Sequence, residues 1–305
     1  MFIKKIQKLR SIFDGYLVGS QFDWKNRICS KDMGIRLIDA KGLKYIHVGH
    51  HRTGSLFLQE EVFPKYQASK KIFSDDTLCG KLFENGLNAV EYIYKNHPKV
   101  KILIIIRSQP SIINSSYRTY IKAGGVWNFK RFTKEILLRK KYDFFPLISK
   151  YVHFFSKKNC KIMIFEDLIK SPTDFVKAIV KFIGEKKILK HDYGIKSPGP
   201  SNLFNELFRY VNIFTKILSL SGVDGLYVNC FGDGKNVPSV RFRKFCYRWG
   251  ISIDKKIFKK LRITGKYQYG YKSVLTEINA TYALNNKKLS KLIGKDLSSY
   301  KYPIN

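Results

Sequence analysis

An α/β fold with a parallel sheet covered by helices on both faces is predicted by two observations. Three short apolar runs, "YIHVG" at 45–49, "VKILIII" at 100–106 and "CKIMIF" at 160–165, read as strands without polar alternation. Between them lie segments of helical period, among them "FLQEEVF" and "WNFKRFTKEILLRK". Strands apolar on both sides belong to sheets with both faces covered, and strands alternating with helices pair in parallel. Ligands of such sheets bind beyond the carboxyl ends of the strands, so the residues after each run carry the functional question.

The first run enters Gly49, four residues follow before Gly54, and an amphipathic helical pattern begins. Such a loop aims successive backbone N–H groups at one anion, at the N-terminus of the helix near Ser55. Ser55 adds a hydroxyl, and Arg52 puts a fixed positive charge inside the loop. In nucleotide triphosphatases the second glycine is followed by Lys and then Ser or Thr; here Ser55 and Leu56 follow Gly54. Without that lysine, and without an obvious acidic strand end for Mg²⁺, ATP hydrolysis and phosphoryl transfer are disfavoured. The second run leads directly into "RSQPSIINSSYRTYIKAGG", with Arg107 at the strand end and Ser115 eight residues on, in the next helix. An arginine and a hydroxyl so placed can converge on one terminal phosphate.

Composition narrows the partner. The chain has 305 residues, 44% of them apolar, enough for one large domain or two small ones. Lys and Arg number 57 against 23 Asp and Glu, a formal charge of +34. That excess favours a polyanion, whether nucleic acid, an anionic membrane surface, a phosphorylated cofactor or an acidic polymer, although single lysine clusters often serve solubility alone. The five cysteines are scattered without a Cys-x-x-Cys pair, which suits a reducing compartment. His47, His50 and His51 crowd together with no second ligand cluster, so no metal is expected.

No apolar run approaches a membrane span, and the N-terminus lacks a signal-peptide core. Phe2, Ile3, Ile6, Leu9, Ile12, Phe13 and Leu17 stand at helical spacing between lysines and Arg10. The pattern suits a helix on a membrane surface, or one packed on the body of the protein, which is the preferred reading. After residue 190 "YGIKSPGPSN" reads as a loop, "LFNELFRYVNIFTKIL" as a helix and "GVDGLYVNCFGDGKNVPSV" as a long irregular stretch of the kind that forms binding loops and lids. The expected organisation is an N-terminal helical extension over 1–40 and a single domain over 41–305.

"HVGHHRTGSLFLQ" resembles the 5′-phosphosulfate loop of sulfotransferases that use 3′-phosphoadenosine 5′-phosphosulfate (PAPS), especially bacterial carbohydrate-type members whose loop runs His-Ile-Gly, two residues, Lys-Thr-Gly-Ser-Thr, then Leu-Gln. Arg52 stands where that family commonly has Lys, and Leu56 replaces a second Thr. The arginine keeps the charge as a wider planar fork, and the Leu56 backbone N–H survives the lost hydroxyl. The stretch from Arg107 to Ser115 is similar to the family's 3′-phosphate motif. Tyr117, "IKAGG", "IFEDLIKSPTDFVKAIVKFIG" at 164–184 and "YALNNKKLSKLIGKDLSSYKYP" at 282–303 extend the likeness over residues 44–303 in the family's order.

The resemblance implies a Rossmann-like, P-loop-type sandwich with a central parallel sheet flanked by helices. It implies PAPS as co-substrate without a metal, and sulfuryl transfer to a hydroxyl or amine of a glycan or glycolipid, releasing adenosine 3′,5′-bisphosphate. Donor contacts then fall on Arg52, Thr53, Gly54, Ser55, Leu56, Phe57, Arg107 and Ser115, and the segments after about residue 190 shape the acceptor site. Arg52 is the candidate for stabilising the departing phosphate. The family places an acidic base beyond the first helix, where "SDDTLCG" stands, making Asp76 the leading base and Asp75 its neighbour. Glu61, His50 and His51 are alternatives, since a base needs hydrogen-bond reach and a suitable pKa.

Glu166 and Asp167 read as structural, Asp167 at a helix start. Tyr117, Tyr120 and Trp127 suit either ring stacking or core filling. The bacterial-type motifs and the missing anchor predict a cytoplasmic enzyme, whose membrane contact would be a peripheral one at the inner face through the N-terminal helix. The rival reading, a basic protein that binds nucleic acid or a membrane surface without catalysis, explains the charge. It offers no recognisable nucleic-acid motif and leaves the paired strand-end motifs unexplained.

Overall fold

The computed structural model describes residues 42–66, 71–75, 78–80, 86–185, 200–220, 238–254, 256 and 271–304. The proposed extension over 1–40 and most of the irregular stretch beyond residue 220 lie outside the described residues. Four strands form one sheet: β1 (Tyr45–Val48), β2 (Ile72–Asp75), β3 (Lys101–Ile106) and β4 (Cys160–Ile164), in the order β2-β1-β3-β4. All three pairings are parallel, with Val48 opposite both Asp75 and Ile104, and Ile106 opposite Ile164. This is the α/β class expected, and β1, β3 and β4 fall on the three apolar runs. The edge strand β2 is additional, because "IFSD" is too short and too polar to stand out.

The described residues gather into two compact units interleaved in the chain. The parts of the first fall within Met1–Ser108, Arg139–Gly194 and Tyr282–Asn305, those of the second within Gln109–Leu138 and Ile195–Thr281. The first unit holds the sheet. Leu103 and Ile105 of β3 join Leu58, Val62, Met163, Leu168, Val176 and Ile179 in one buried cluster, so α6 (Phe165–Lys170) and α7 (Pro172–Phe182) cover that face. Alternation sends Ile102, Ile104 and Ile106 the other way, and they too are buried, on the side of α5 (Phe144–Phe155), with α2 (Leu87–Asn96) against α5. Burial on both faces is why β3 reads as an unbroken apolar run.

The second unit contains α3 (Gln109–Lys122), α4 (Phe129–Leu138), α8 (Asn202–Leu220) and α9 (Pro238–Ile253). The last helix, α10 (Tyr271–Ile293), enters the first unit from Tyr282 onward. The core of the second unit is aromatic. The Tyr117 ring packs 5.3 Å from both Phe129 and Phe132, and its hydroxyl donates to Glu206 Oε1 at 2.6 Å. The Tyr120 hydroxyl accepts the backbone N–H groups of Val126 and Trp127, each at 3.1 Å. Asn212 of α8 donates at 2.8 Å to the carbonyls of Ile121 and Gly125, which end the α3 turn. Ser201 caps α8, accepting the Phe204 N–H at 3.1 Å, while Asp254 accepts both the Ser201 hydroxyl and, at 2.9 Å, its N–H.

A Cβ at Gly125 would stand 2.2 Å from the Tyr120 ring, which its two accepted bonds hold in place. Gly125→Ala is therefore expected to cost about 1–3 kcal/mol by overpacking, read as a lowered denaturant midpoint at unchanged slope.

Candidate functional site

The carboxyl ends of β1, β3 and β4 lie side by side in the first unit, and each delivers a polar group. Gly49 N–H donates to Asp75 O at 3.1 Å, so the loop begins where β1 and β2 end together. It then turns tightly on one carbonyl. His50 O accepts the Thr53 N–H at 3.3 Å, the Thr53 hydroxyl at 2.7 Å and the Ser55 hydroxyl at 3.3 Å. Arg52 and Gly54 adopt left-handed backbone, at φ 70° and 90°. Gly54 also sits against α6, where a Cβ would lie 3.0 Å from Leu168 and 3.5 Å from Phe165. The torsion at position 54 favours glycine, and the close Leu168 methyl adds to that preference.

A short helix, α1 (Ser55–Phe57), follows and widens over Leu58–Val62 before tightening at Phe63–Lys65. Wide turns of this kind are frequent at functional sites. The turn aims Gln59 at β2, where its amide donates to Ser74 O at 3.1 Å and Ser74 Oγ at 3.0 Å. His47 bonds the same hydroxyl at 2.8 Å.

Arg107, one residue past β3, reaches back to this loop. Its Nη1 donates to Arg52 O at 2.9 Å, and its guanidinium lies 4.4 Å from the centre of the Phe165 ring. The next residue, Ser108, donates its N–H to Glu166 Oε1 at 3.1 Å. Burial raises the Glu166 pKa against the pull of those Ser108 bonds and of Arg107, and its Oε2 has no hydrogen-bond partner. Tyr302 is buried within electrostatic reach of Glu166 and Arg107, its hydroxyl likewise unpaired and its pKa raised well above 10 by burial.

Arg52, Thr53, Gly54, Ser55, Leu56, Phe57 and Arg107 therefore come together at one end of the sheet in the first unit. Arg52 and Leu56 are exposed there, whereas the Thr53 and Ser55 hydroxyls turn inward onto His50 O. Ser115 belongs to the second unit, buried on α3. Asp76 lies outside the described residues, while Asp75 is the last residue of β2. Glu61 sits in the wide turn, 3.9 Å from Lys65. His51 is half-buried. Asp167 opens α6 as expected and pairs with Lys295 at 3.1 Å. Tyr117, Tyr120 and Trp127 are core residues of the second unit. No group of three or more His, Cys, Asp or Glu among the described residues could hold a metal ion.

Two features escape a reading of the sequence. Lys141 is buried, and its ammonium donates to Cys79 O at 3.1 Å and Gly80 O at 3.0 Å, holding the segment that follows β2. His50 is buried with both ring nitrogens unpaired, edge-on to Phe144 at 4.9 Å. Burial, then the charges of Lys141, His51 and His47, holds the His50 pKa well below 6.5. A lysine inside a fold contradicts its usual address, and nothing in local sequence marks it.

The native state thus refuses a proton that the unfolded chain takes up at His50. Stability from this group is full above pH 6.5 and is lost as pH falls below it, by up to about 1.4 kcal/mol per pH unit. His50→Gln is expected to flatten that slope in denaturation curves taken between about pH 7.5 and 5, whatever its effect on absolute stability.

No protein-family profile and no curated protein matches the chain. Among solved structures, a sulfotransferase from Alicyclobacillus acidocaldarius matches with a TM-score of 0.42 and 14% identity, over 59% of this chain and 94% of that one.

Proposed function

We propose that the chain is a PAPS-dependent sulfotransferase that passes a sulfuryl group to a hydroxyl or amine of a glycan or glycolipid. The observation that carries this reading is the bond between Arg107 and the Arg52 carbonyl, which couples two strand-end motifs otherwise 55 residues apart. A nucleotide phosphorylated at both ends of its sugar asks for two anion sites. The loop residues Arg52 to Phe57 would supply one and Arg107 the other; Ser115 is proposed as a donor contact from its motif alone. Gly54 fits the first, since its lack of a side chain lets the loop backbone lie close on α6.

The donor, when bound, brings a mixed anhydride already activated for transfer. The protein's part is to orient the acceptor oxygen in line and to neutralise charge. Arg52, always ionised, stabilises the departing phosphate without giving up a proton. The acceptor proton goes to Asp76, directly after β2, with Glu61 as the second choice. Asp76 leads because β2 ends beside the loop, with Asp75 opposite Val48. Cytoplasmic residence and a bacterial surface glycan as acceptor belong to the same proposal.

Calorimetry at near-physiological salt should show adenosine 3′,5′-bisphosphate preferred over 5′-AMP and ATP. Arg107→Ala should lose about 10- to 100-fold in affinity for the bisphosphate, the worth of a charged hydrogen bond. Weak, equal and strongly salt-dependent binding of all three would sink the reading and leave a general polyanion binder. With an acceptor in hand, Arg52→Ala is expected to lower kcat about 10²-fold or more, with Arg52→Lys recovering part of it and the donor KM moving less.

A further inference from the structure

Helix α8 has two faces of opposite character. Phe204, Asn205, Phe208, Asn212 and Thr215 are buried, and Phe204 and Phe208 pack on Tyr247 of α9 at 5.6 and 5.0 Å. On the other side Leu207, Tyr210, Phe214 and Ile217, spaced three, four and three apart, stand in solvent. Helix α9 repeats the pattern with Phe242, Phe245 and Trp249, three and four apart. These seven side chains are 48–64% exposed, and among the described residues they make up seven of the twelve exposed large apolar side chains. Single exposed apolar residues are ordinary, but two periodic stripes on two packed helices are not.

The charge around the stripes selects the occupant. The sequence of α9 holds Arg241, Arg243, Lys244 and Arg248 with no Asp or Glu, in a chain of net charge +34. On α8 Arg209 lies 4.5 Å above the Tyr210 ring but is paired with Glu206 at 2.9 Å, so the charge at the stripes comes from α9, where Arg248 is exposed. A second copy of this chain would set one strongly basic surface against another. A nucleic acid would use the aromatic faces but leave Leu207 and Ile217 wet. An anionic bilayer accepts all of it, with aromatic and aliphatic side chains at the boundary between headgroups and acyl chains and the exposed Arg248 among lipid phosphates. No described helix is long and apolar enough to cross a membrane, so the contact lies in the plane of the surface.

We propose that the exposed stripes of α8 and α9 form a docking surface for a membrane leaflet rich in anionic lipid. The proposal stands whether or not the sulfotransferase reading does.

The full chain should co-sediment with vesicles of phosphatidylcholine containing about one-third phosphatidylglycerol and ignore vesicles of phosphatidylcholine alone. The double variant Phe245→Ser, Trp249→Ser, with an unchanged circular dichroism spectrum, should partition about tenfold less or worse. Brominated phosphatidylglycerol should quench tryptophan emission in the wild type, and Trp249→Phe should abolish most of that quenching while still binding. Undiminished binding of the double variant would overturn the proposal by assigning the contact to diffuse charge or to the N-terminal segment. So would a failure to bind anionic vesicles, including the case of a chain that self-associates through these residues or captures RNA instead.

Discussion

A single charge-assisted hydrogen bond, from the Arg107 guanidinium to the Arg52 carbonyl, joins the ends of two neighbouring strands and gives the loop its form. Arg52 is held in left-handed backbone at φ 70°, which costs a non-glycine residue about 1–2 kcal/mol. A hydrogen bond to a charged donor contributes about 1.5–3 kcal/mol, enough to offset that cost. The guanidinium is itself immobilised on the Phe165 ring, and Gly54, at φ 90°, packs close on α6, where a Cβ would lie 3.0 Å from Leu168. Arginine suits this work because its planar fork can stack and donate sideways at once, which a lysine cannot do.

Behind this surface the polar interior follows a different rule. The Lys141 ammonium is kept in place by two carbonyls of the segment after β2, and the imidazole of His50 is held neutral first by its own burial and then by that charge. Two adjacent buried nitrogen bases cannot both hold protons cheaply, because a low dielectric strengthens repulsion as much as attraction. Glu166 shows the same economy with the opposite sign, its carboxyl biased toward the protonated form by burial even though Arg107 is near.

Much of the sheet was legible in the sequence because burial on both faces leaves an unmistakable apolar run, as in Lys101–Ile106. Strand β2 was not, since at the edge it needs only Ile72, Phe73 and Ser74 inside, and four residues carry too little period. The loop was legible because Gly49 and Gly54 bracket it and Arg52 stands between them. The contact that shapes it was not, since a side chain reaching a backbone carbonyl 55 residues away leaves no compositional trace. Tyr117 and Trp127 illustrate the reverse problem: an aromatic on a helix advertises ring stacking and core filling alike, and only burial decides.

The interleaving of the two units sets an order of assembly during synthesis. Asn285 bonds Asp143, Asn286 bonds Pro303 O, Lys295 pairs with Asp167, and Tyr302 is buried within reach of Arg107 and Glu166. Asn285, Asn286, Lys295, Tyr302 and Pro303 leave the ribosome only after the whole intervening second unit has been made. The four strands can pair while translation continues, but Arg107, Glu166 and Asp167 at the strand ends must wait for Tyr302 and Lys295, encoded more than a hundred residues downstream. Loop-closure entropy makes that wait slow as well as late. A nascent chain of this protein thus has a window in which its sheet exists and the C-terminal partners of its strand ends do not, and in that window chaperones and proteases compete for it.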